Sequence, residues 1–294
     1  MMTVRIENDN LIVEIHEHGA ELQSVRRKDS ELEYLWQADP KYWNRHSPVL
    51  FPIVGRLKNN QFDYEGHTYY LSQHGFARDL NFIVIEQSAT HAVFELRDSP
   101  LTKNLYPFSF HFQIRYTLTT NDTVKIEYFV HNPGETPIYF QVGGHPAFNV
   151  PLEVNHKFTD YYVNVDPVKE YDRVKLIGPY SDPEHMGTFN PRIPLRLRYD
   201  DYKEDAIILS LEKQQTSLIL ARLDASHGVT MNLKDANYVG IWSPYGKDAP
   251  FVCLEPWWGI ADTIDADGDI THKFAINKLA GQKDFSANWS LTFF

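Results

Sequence analysis

What most limits the fold of this chain is its recurrence of short alternating runs, each closed within a few positions by turn-forming residues. Asn10-Leu11-Ile12-Val13-Glu14-Ile15, Phe82-Ile83-Val84-Ile85-Glu86, His91-Ala92-Val93-Phe94-Glu95-Leu96 and Phe110-His111-Phe112-Gln113-Ile114-Arg115-Tyr116 read as strands. So do Val124 to Val130, Ala206 to Leu211 and Ser217 to Leu220. Period-two alternation puts successive side chains on opposite faces of a sheet, so one face of each run is dressed for a core. Punctuation is dense: Tyr64-Glu65-Gly66, Thr120-Asn121-Asp122, Asn132-Pro133-Gly134 and Ala266-Asp267-Gly268-Asp269 supply the backbone angles that turns need. No long stripe at 3.6-residue spacing is present, so helices should be few and short. No fixed period marks a propeller or solenoid. The expected fold is all-β, a large antiparallel β-sandwich formed by residues 1–294 as one domain. The turn-rich stretch Ile177-Gly178-Pro179-Tyr180-Ser181-Asp182-Pro183-Glu184-His185 is expected to be a long surface excursion, with strands resuming by about Ile207.

Composition supports this reading and narrows the partners. Eighteen Phe, 17 Tyr and 6 Trp in 294 residues suit pleated, half-buried surfaces, and most are expected in the core. An aromatic face also suits the apolar C–H face of a pyranose. The net charge of −11 would repel a nucleic acid, and no basic stripe reverses it locally. No stretch nears the roughly 18 apolar residues of a membrane helix, and the N-terminal residues lack the apolar run of a signal peptide. Cys253, the one cysteine, excludes an intrachain disulfide and fits a reducing compartment. The expectation is a cytoplasmic protein with a small-molecule partner, no nucleic acid and no membrane.

Four segments crowd polar residues among glycines, prolines and aromatics: Phe51-Pro52-Ile53-Val54-Gly55-Arg56, Gln73-His74-Gly75-Phe76-Ala77-Arg78-Asp79, Gln141-Val142-Gly143-Gly144-His145-Pro146-Ala147-Phe148-Asn149, and Phe251-Val252-Cys253-Leu254-Glu255-Pro256-Trp257-Trp258-Gly259. Glu255 ends an apolar run. Buried there, it would have a raised pKa and could accept a proton near neutral pH; it could equally pair with a core arginine. His145 follows two glycines, which let backbone approach closely, and precedes a proline that fixes the chain direction. It could transfer protons, or be a structural histidine bonded to a backbone carbonyl. His74, beside Gly75 and four residues before Arg78, poses the same choice. A zinc site has little support, for there is no paired-cysteine spacing and no His-Glu-x-x-His. There is no Gly-x-Ser-x-Gly elbow and no phosphate loop, and Cys253 reads as a packing thiol.

In order, these segments resemble the aldose 1-epimerase (galactose mutarotase-like) family. The resemblance begins at Gly19-Ala20-Glu21-Leu22-Gln23-Ser24 and Tyr34-Leu35-Trp36, and reaches Asp262, nearly the whole chain. It implies a galactose mutarotase-like supersandwich with an open cleft on one sheet, and no metal or cofactor. By motif, His145 would be the general acid toward the ring oxygen and Glu255 the general base toward the anomeric hydroxyl. His74 and Arg56 would hold the sugar, with Arg78 and Trp257 as further substrate contacts. Asp205, ahead of the strand from Ala206, is the candidate for the family's hydroxyl-binding aspartate. The contexts Ser72-Gln73-His74-Gly75-Phe76 and His145-Pro146-Ala147-Phe148-Asn149-Val150 depart from the galactose enzyme. They look like a mutarotase-related, lactose-operon-linked branch associated with lactose or tagatose utilisation, and partly like hexose-6-phosphate epimerases. The expected activity is aldose 1-epimerisation of a free monosaccharide such as galactose or glucose, by a monomer or homodimer. The alternatives are a hexose-6-phosphate 1-epimerase, which needs a cationic cluster, and a non-catalytic sugar-binding or sugar-sensing protein, which does not need an acid–base pair.

Overall fold

The computed structural model describes residues 2–120, 122–224 and 227–294. Two large sheets dominate it. Across the first, of nine strands, the order is Leu195–Arg196, Tyr161–Asp166, Thr216–Arg222, Gly228–Leu233, Asp284–Phe293, Thr123–His131, His111–Thr120, His91–Arg97 and Ile83–Gln87. Across the second it is Tyr180–Phe189, Tyr171–Ile177, Ile207–Ser210, Tyr238–Trp242, Phe251–Trp258, Val142–Gly144 and Val49–Leu50; the short strand Ala147–Asn149 also pairs with Phe251–Trp258, making eight. Neighbours in both sheets run antiparallel, as the all-β reading expects. A three-stranded sheet (Thr3–Glu7, Leu11–His16, Glu21–Arg27) and two hairpin-sized ones complete the set.

The alternation seen in sequence is the alternation of burial. Along Thr123–His131, Val124, Ile126, Tyr128 and Val130 point inward and their neighbours outward. Phe251–Trp258 differs: every residue is buried, because it is a central strand covered on both faces. The core is strongly aromatic. Phe51 stacks on Phe112 at 4.5 Å and meets Phe110, Tyr106 and Phe140 edge-on or tilted, welding the Val49–Leu50 segment to the nine-stranded sheet. Among the described residues helix is limited to Pro100–Leu105, capped by Ser99 and Thr102, and to short 3₁₀ turns. Within them, no helix is long and apolar enough to cross a membrane.

The turn readings hold at Glu65-Gly66, where φ values of 49° and 78° close the hairpin Gln61–Tyr64/His67–Tyr70. Asn121, the centre of another expected turn, lies outside the described residues. One expectation is overturned. Ile177 to His185 is not a loop excursion: Tyr171–Ile177 and Tyr180–Phe189 form a hairpin at the edge of the eight-stranded sheet, turning at Gly178 (φ 59°). Its turn formers misled because an edge strand tolerates Pro183, and because the pairing of the two strands is irregular between Arg173 and Lys175.

Candidate active site

A cleft of about 600 Å³ opens beside the eight-stranded sheet, and Arg56, His74, Arg78, His145, Asp205, Glu255 and Trp257 all line it. Its floor is made by neighbouring strands. Glu255 lies on Phe251–Trp258, and His145 follows Val142–Gly144, which pairs with that strand through Val142–Trp258 and Gly143–Trp257. The two glycines are there for space. A Cβ on Gly143 would sit 2.9 Å from both the Pro256 carbonyl and Trp257, and one on Gly144 would sit 2.9 Å from the Tyr128 hydroxyl. The His145 amide then donates to the Pro48 carbonyl at 3.1 Å, fixing the residue over the strand.

His145 Nε2 stands 3.1 Å from Glu255 Oε2, and both residues are buried, at 7% and 2% exposure. Burial drives each toward its neutral form. It raises the Glu255 carboxyl well above the usual range, with nearby Asp205 adding to the rise. The Trp257 indole N–H, turned toward the carboxyl without a hydrogen bond of ordinary geometry, offsets part of this. Burial lowers His145 to about 3, and the positive charges of Arg78 and Arg45 push the same way. At 3.1 Å the two share one proton, which these shifts place on the Glu255 carboxyl in the free protein. Two alternatives from the sequence thereby separate. Glu255 makes no ion pair with an arginine among the described residues, and His145 Nδ1 has no hydrogen-bond partner.

His74 faces His145 edge-on, with ring centres 5.5 Å apart. Its backbone is left-handed (φ 67°), uncommon for a residue with a Cβ. That geometry lets the His74 amide donate to the Gly55 carbonyl at 2.7 Å while the Gly55 amide donates to His74 Nδ1 at 3.1 Å. Nδ1 as acceptor puts the ring proton on Nε2, so the neutral ring is a hydrogen-bond donor. Burial first, then the charges of His145, Arg78, Arg45 and Arg56, keep it neutral. Gln73 joins the arginines: Arg56 donates to its side-chain oxygen at 3.1 Å and Arg78 to its backbone carbonyl at 2.6 Å. The Nε–H groups of Arg56 and Arg78 have no hydrogen-bond partner. Asp205 lies at the open side, also with a left-handed backbone (φ 71°). Desolvation raises its carboxyl, and the Ala206 amide, the Arg56 charge and Trp242 partly reverse this.

The sequence did not single out Trp43 and Trp242. Trp43 stacks on the His145 ring at 4.9 Å and Trp242 meets it edge-on at 5.6 Å, so the imidazole is boxed by indoles. Trp43 lies in Tyr42-Trp43-Asn44, outside any strand, where no alternation signals its direction. Behind the floor, Cys253 sits two residues before Glu255 on the same strand. The possible ligand atoms of His145, Cys253 and Glu255 all lie within 4.8 Å of one another.

Residues 2–274 match the family described as aldose 1-epimerase. The chain belongs to this family. It is 31% identical to the plasmid-encoded protein LacX of Lactococcus lactis subsp. lactis, over 95% of each chain. A galactose mutarotase related enzyme from Lactobacillus acidophilus superposes with a TM-score of 0.97 at 40% identity, covering 100% of this chain and 97% of that one. A galactose mutarotase-like protein from Lactobacillus casei does so with a TM-score of 0.91 at 31% identity, covering 100% of both. The expected galactose mutarotase-like fold is therefore shown, and so is the expected membership of the aldose 1-epimerase family.

Proposed function

We propose that this protein is an aldose 1-epimerase that interconverts the α and β anomers of a free aldohexose. The observation that carries the reading is the buried contact of 3.1 Å between His145 Nε2 and Glu255 Oε2 at the floor of the cleft. Anomer exchange takes one proton from the hydroxyl on C1 and gives one to the ring oxygen on the same carbon. The acid and base must therefore stand a few ångströms apart and hold a single proton between them. In the ring-opening step, with the shared proton passed from Glu255 to His145, the Glu255 carboxylate accepts the proton of the anomeric hydroxyl, protonated His145 delivers its proton to the ring oxygen, and the C1–O5 bond breaks to leave the open-chain aldehyde. After rotation about C1–C2 the ring recloses on the other face of the carbonyl with both proton transfers reversed. No external proton is consumed and no covalent intermediate forms.

The remaining side chains support this division of labour. His74, its proton fixed on Nε2, donates to the sugar without competing as a base. Arg56 and Arg78, which line the cleft, stabilise charge on the ring oxygen as the C1–O5 bond lengthens. Asp205 and Trp257 bind hydroxyls and a pyranose face.

A second reading, a hexose 6-phosphate as substrate, draws support from Lys203 and Lys247 at the exposed rim of the same cleft. Polarimetry or NMR exchange of α and β anomers over a panel of free and phosphorylated aldoses tests both. Accelerated exchange of free hexoses supports the first reading. Acceleration confined to the phosphorylated sugars supports the second. No acceleration for any sugar would leave a binding protein.

A further inference from the structure

Cys253 has no part in the proton transfers, yet it completes a compact group of three potential metal ligands with His145 and Glu255. The three ligand atoms lie within 4.8 Å of one another. Cys253 and Glu255 alternate to the same face of Phe251–Trp258, and His145 reaches them from the adjoining strand. Cys253 itself is wholly buried against Trp36, Ala147 and Phe251, with partly buried Trp43 and Trp242 packed on the same cluster. We propose that His145, Cys253 and Glu255 form a binding site for a soft divalent cation of the zinc type, which blocks the acid–base pair when occupied.

Three physical arguments carry this. The first is geometry. A tetrahedral zinc ion with bonds of about 2.0–2.3 Å sets its ligand atoms roughly 3.5 Å apart, so the widest pair here must close by about 1 Å. His145 and Glu255, at 3.1 Å, are already at that spacing. Both also line the cleft, so a fourth position is open to water and to entry of the ion.

The second is charge. A buried site resists any change in net charge. In the free site, the neutral thiol and the His145–Glu255 unit with its one shared proton sum to zero. When the cation binds, that proton and the thiol proton leave to solvent. A thiolate, a carboxylate and a neutral imidazole around a divalent ion again sum to zero. The guanidinium of Arg78, which lines the same cleft, acts against the cation. The third is ligand softness. Thiolate and imidazole favour zinc-like ions, while magnesium and calcium prefer all-oxygen sites.

Because the blocked groups are those of the proposed reaction, the inhibitory half of the proposal rests on that function; the binding half does not. Cobalt(II) added to the wild-type protein should give a thiolate-to-cobalt charge-transfer band that is lost in Cys253→Ala. In the anomer-exchange assay, zinc should inhibit the wild type reversibly, with activity restored by a chelator, and magnesium should not. Cys253→Ala should keep its basal rate and need at least about tenfold more zinc for the same inhibition. Absence of the cobalt band in wild type would overturn the proposal, as would equal zinc sensitivity in the two proteins. Should Cys253→Ala fold poorly, the band in the wild-type protein and its displacement by zinc decide the matter alone. Failure to accelerate any sugar would strike the functional reading while leaving the cobalt result to judge the metal site.

Discussion

Two buried pairs of ionisable groups lie at the cleft and just behind it, and they are built on opposite principles. Behind the cleft, Lys273 Nζ donates to Asp262 Oδ1 at 2.8 Å and to the Ile260 carbonyl at 2.8 Å. The other Asp262 oxygen accepts the Lys58 amide at 2.8 Å, and the Asp262 amide donates to the Arg56 carbonyl at 2.9 Å. Both Asp262 carboxylate oxygens are occupied, and the pair ties the Arg56 segment to the strand end that follows Trp258. At the cleft floor, His145 and Glu255 make one contact between them. His145 Nδ1 and the Arg56 Nε–H group have no hydrogen-bond partner. Burial is alike in the two places. What differs is saturation. A saturated pair fixes the backbone, whereas an unsaturated one keeps bonding capacity for a molecule that enters.

That contrast can be broken by substitution. The largest effect is expected at the floor: Glu255→Gln and His145→Asn should each slow anomer exchange by at least about 10²-fold, with thermal unfolding little changed. A near-normal rate in either would equate the two pairs and remove the functional one. Next comes Lys273→Met, which strands a buried carboxylate and should cost about 3–5 kcal/mol of stability in denaturant titrations. The fraction that remains folded should exchange anomers at a rate close to wild type. A loss of rate out of proportion to the loss of folded protein would make the rear pair part of the reaction.

Acid titration sharpens the comparison further. His145 is held at about 3 in the fold against 6.5 when free. As pH falls from 6.5 toward 3, the unfolded chain therefore takes up a proton that the fold refuses. The stability this residue contributes is complete above 6.5 and lost progressively below it. His145→Asn should accordingly lose less stability than wild type across that window; equal slopes would show that His145 is not held neutral. The smallest effect is expected for Arg45→Gln. Arg45 pushes His145 down less than Arg78 does, so its loss should raise the imidazole pKa only slightly in an NMR titration. A downward shift would reverse the assigned sign.

Much of this was legible in sequence, because strand alternation is a local property. Thr123–His131 and His111–Thr120 announce themselves residue by residue. The segments around His145 and Glu255 were legible for another reason: close backbone approach demands glycine, and a carboxylate inside an apolar run is conspicuous. Local pattern could not show that Tyr171–Ile177 and Tyr180–Phe189 pair, since edge strands carry turn formers freely. Nor could it show Trp43 stacked on His145, a contact made by a segment with no periodicity at all. The saturation of Asp262 by Lys58, Lys273 and the Arg56 segment is likewise a property of assembly.

The left-handed backbone at His74 bears on how this cleft could be altered. With φ at 67°, position 74 accepts Asn, Asp and Gly with little strain and resists β-branched replacements. Substitution there draws on a short alphabet set by conformation before chemistry is considered. Asparagine is the one member of it that both tolerates the backbone and offers a neutral N–H. A search for altered sugar preference by exchange at this position should therefore yield asparagine variants first, and any valine or isoleucine variant that folds should carry a compensating change at Gly55 or Gly75.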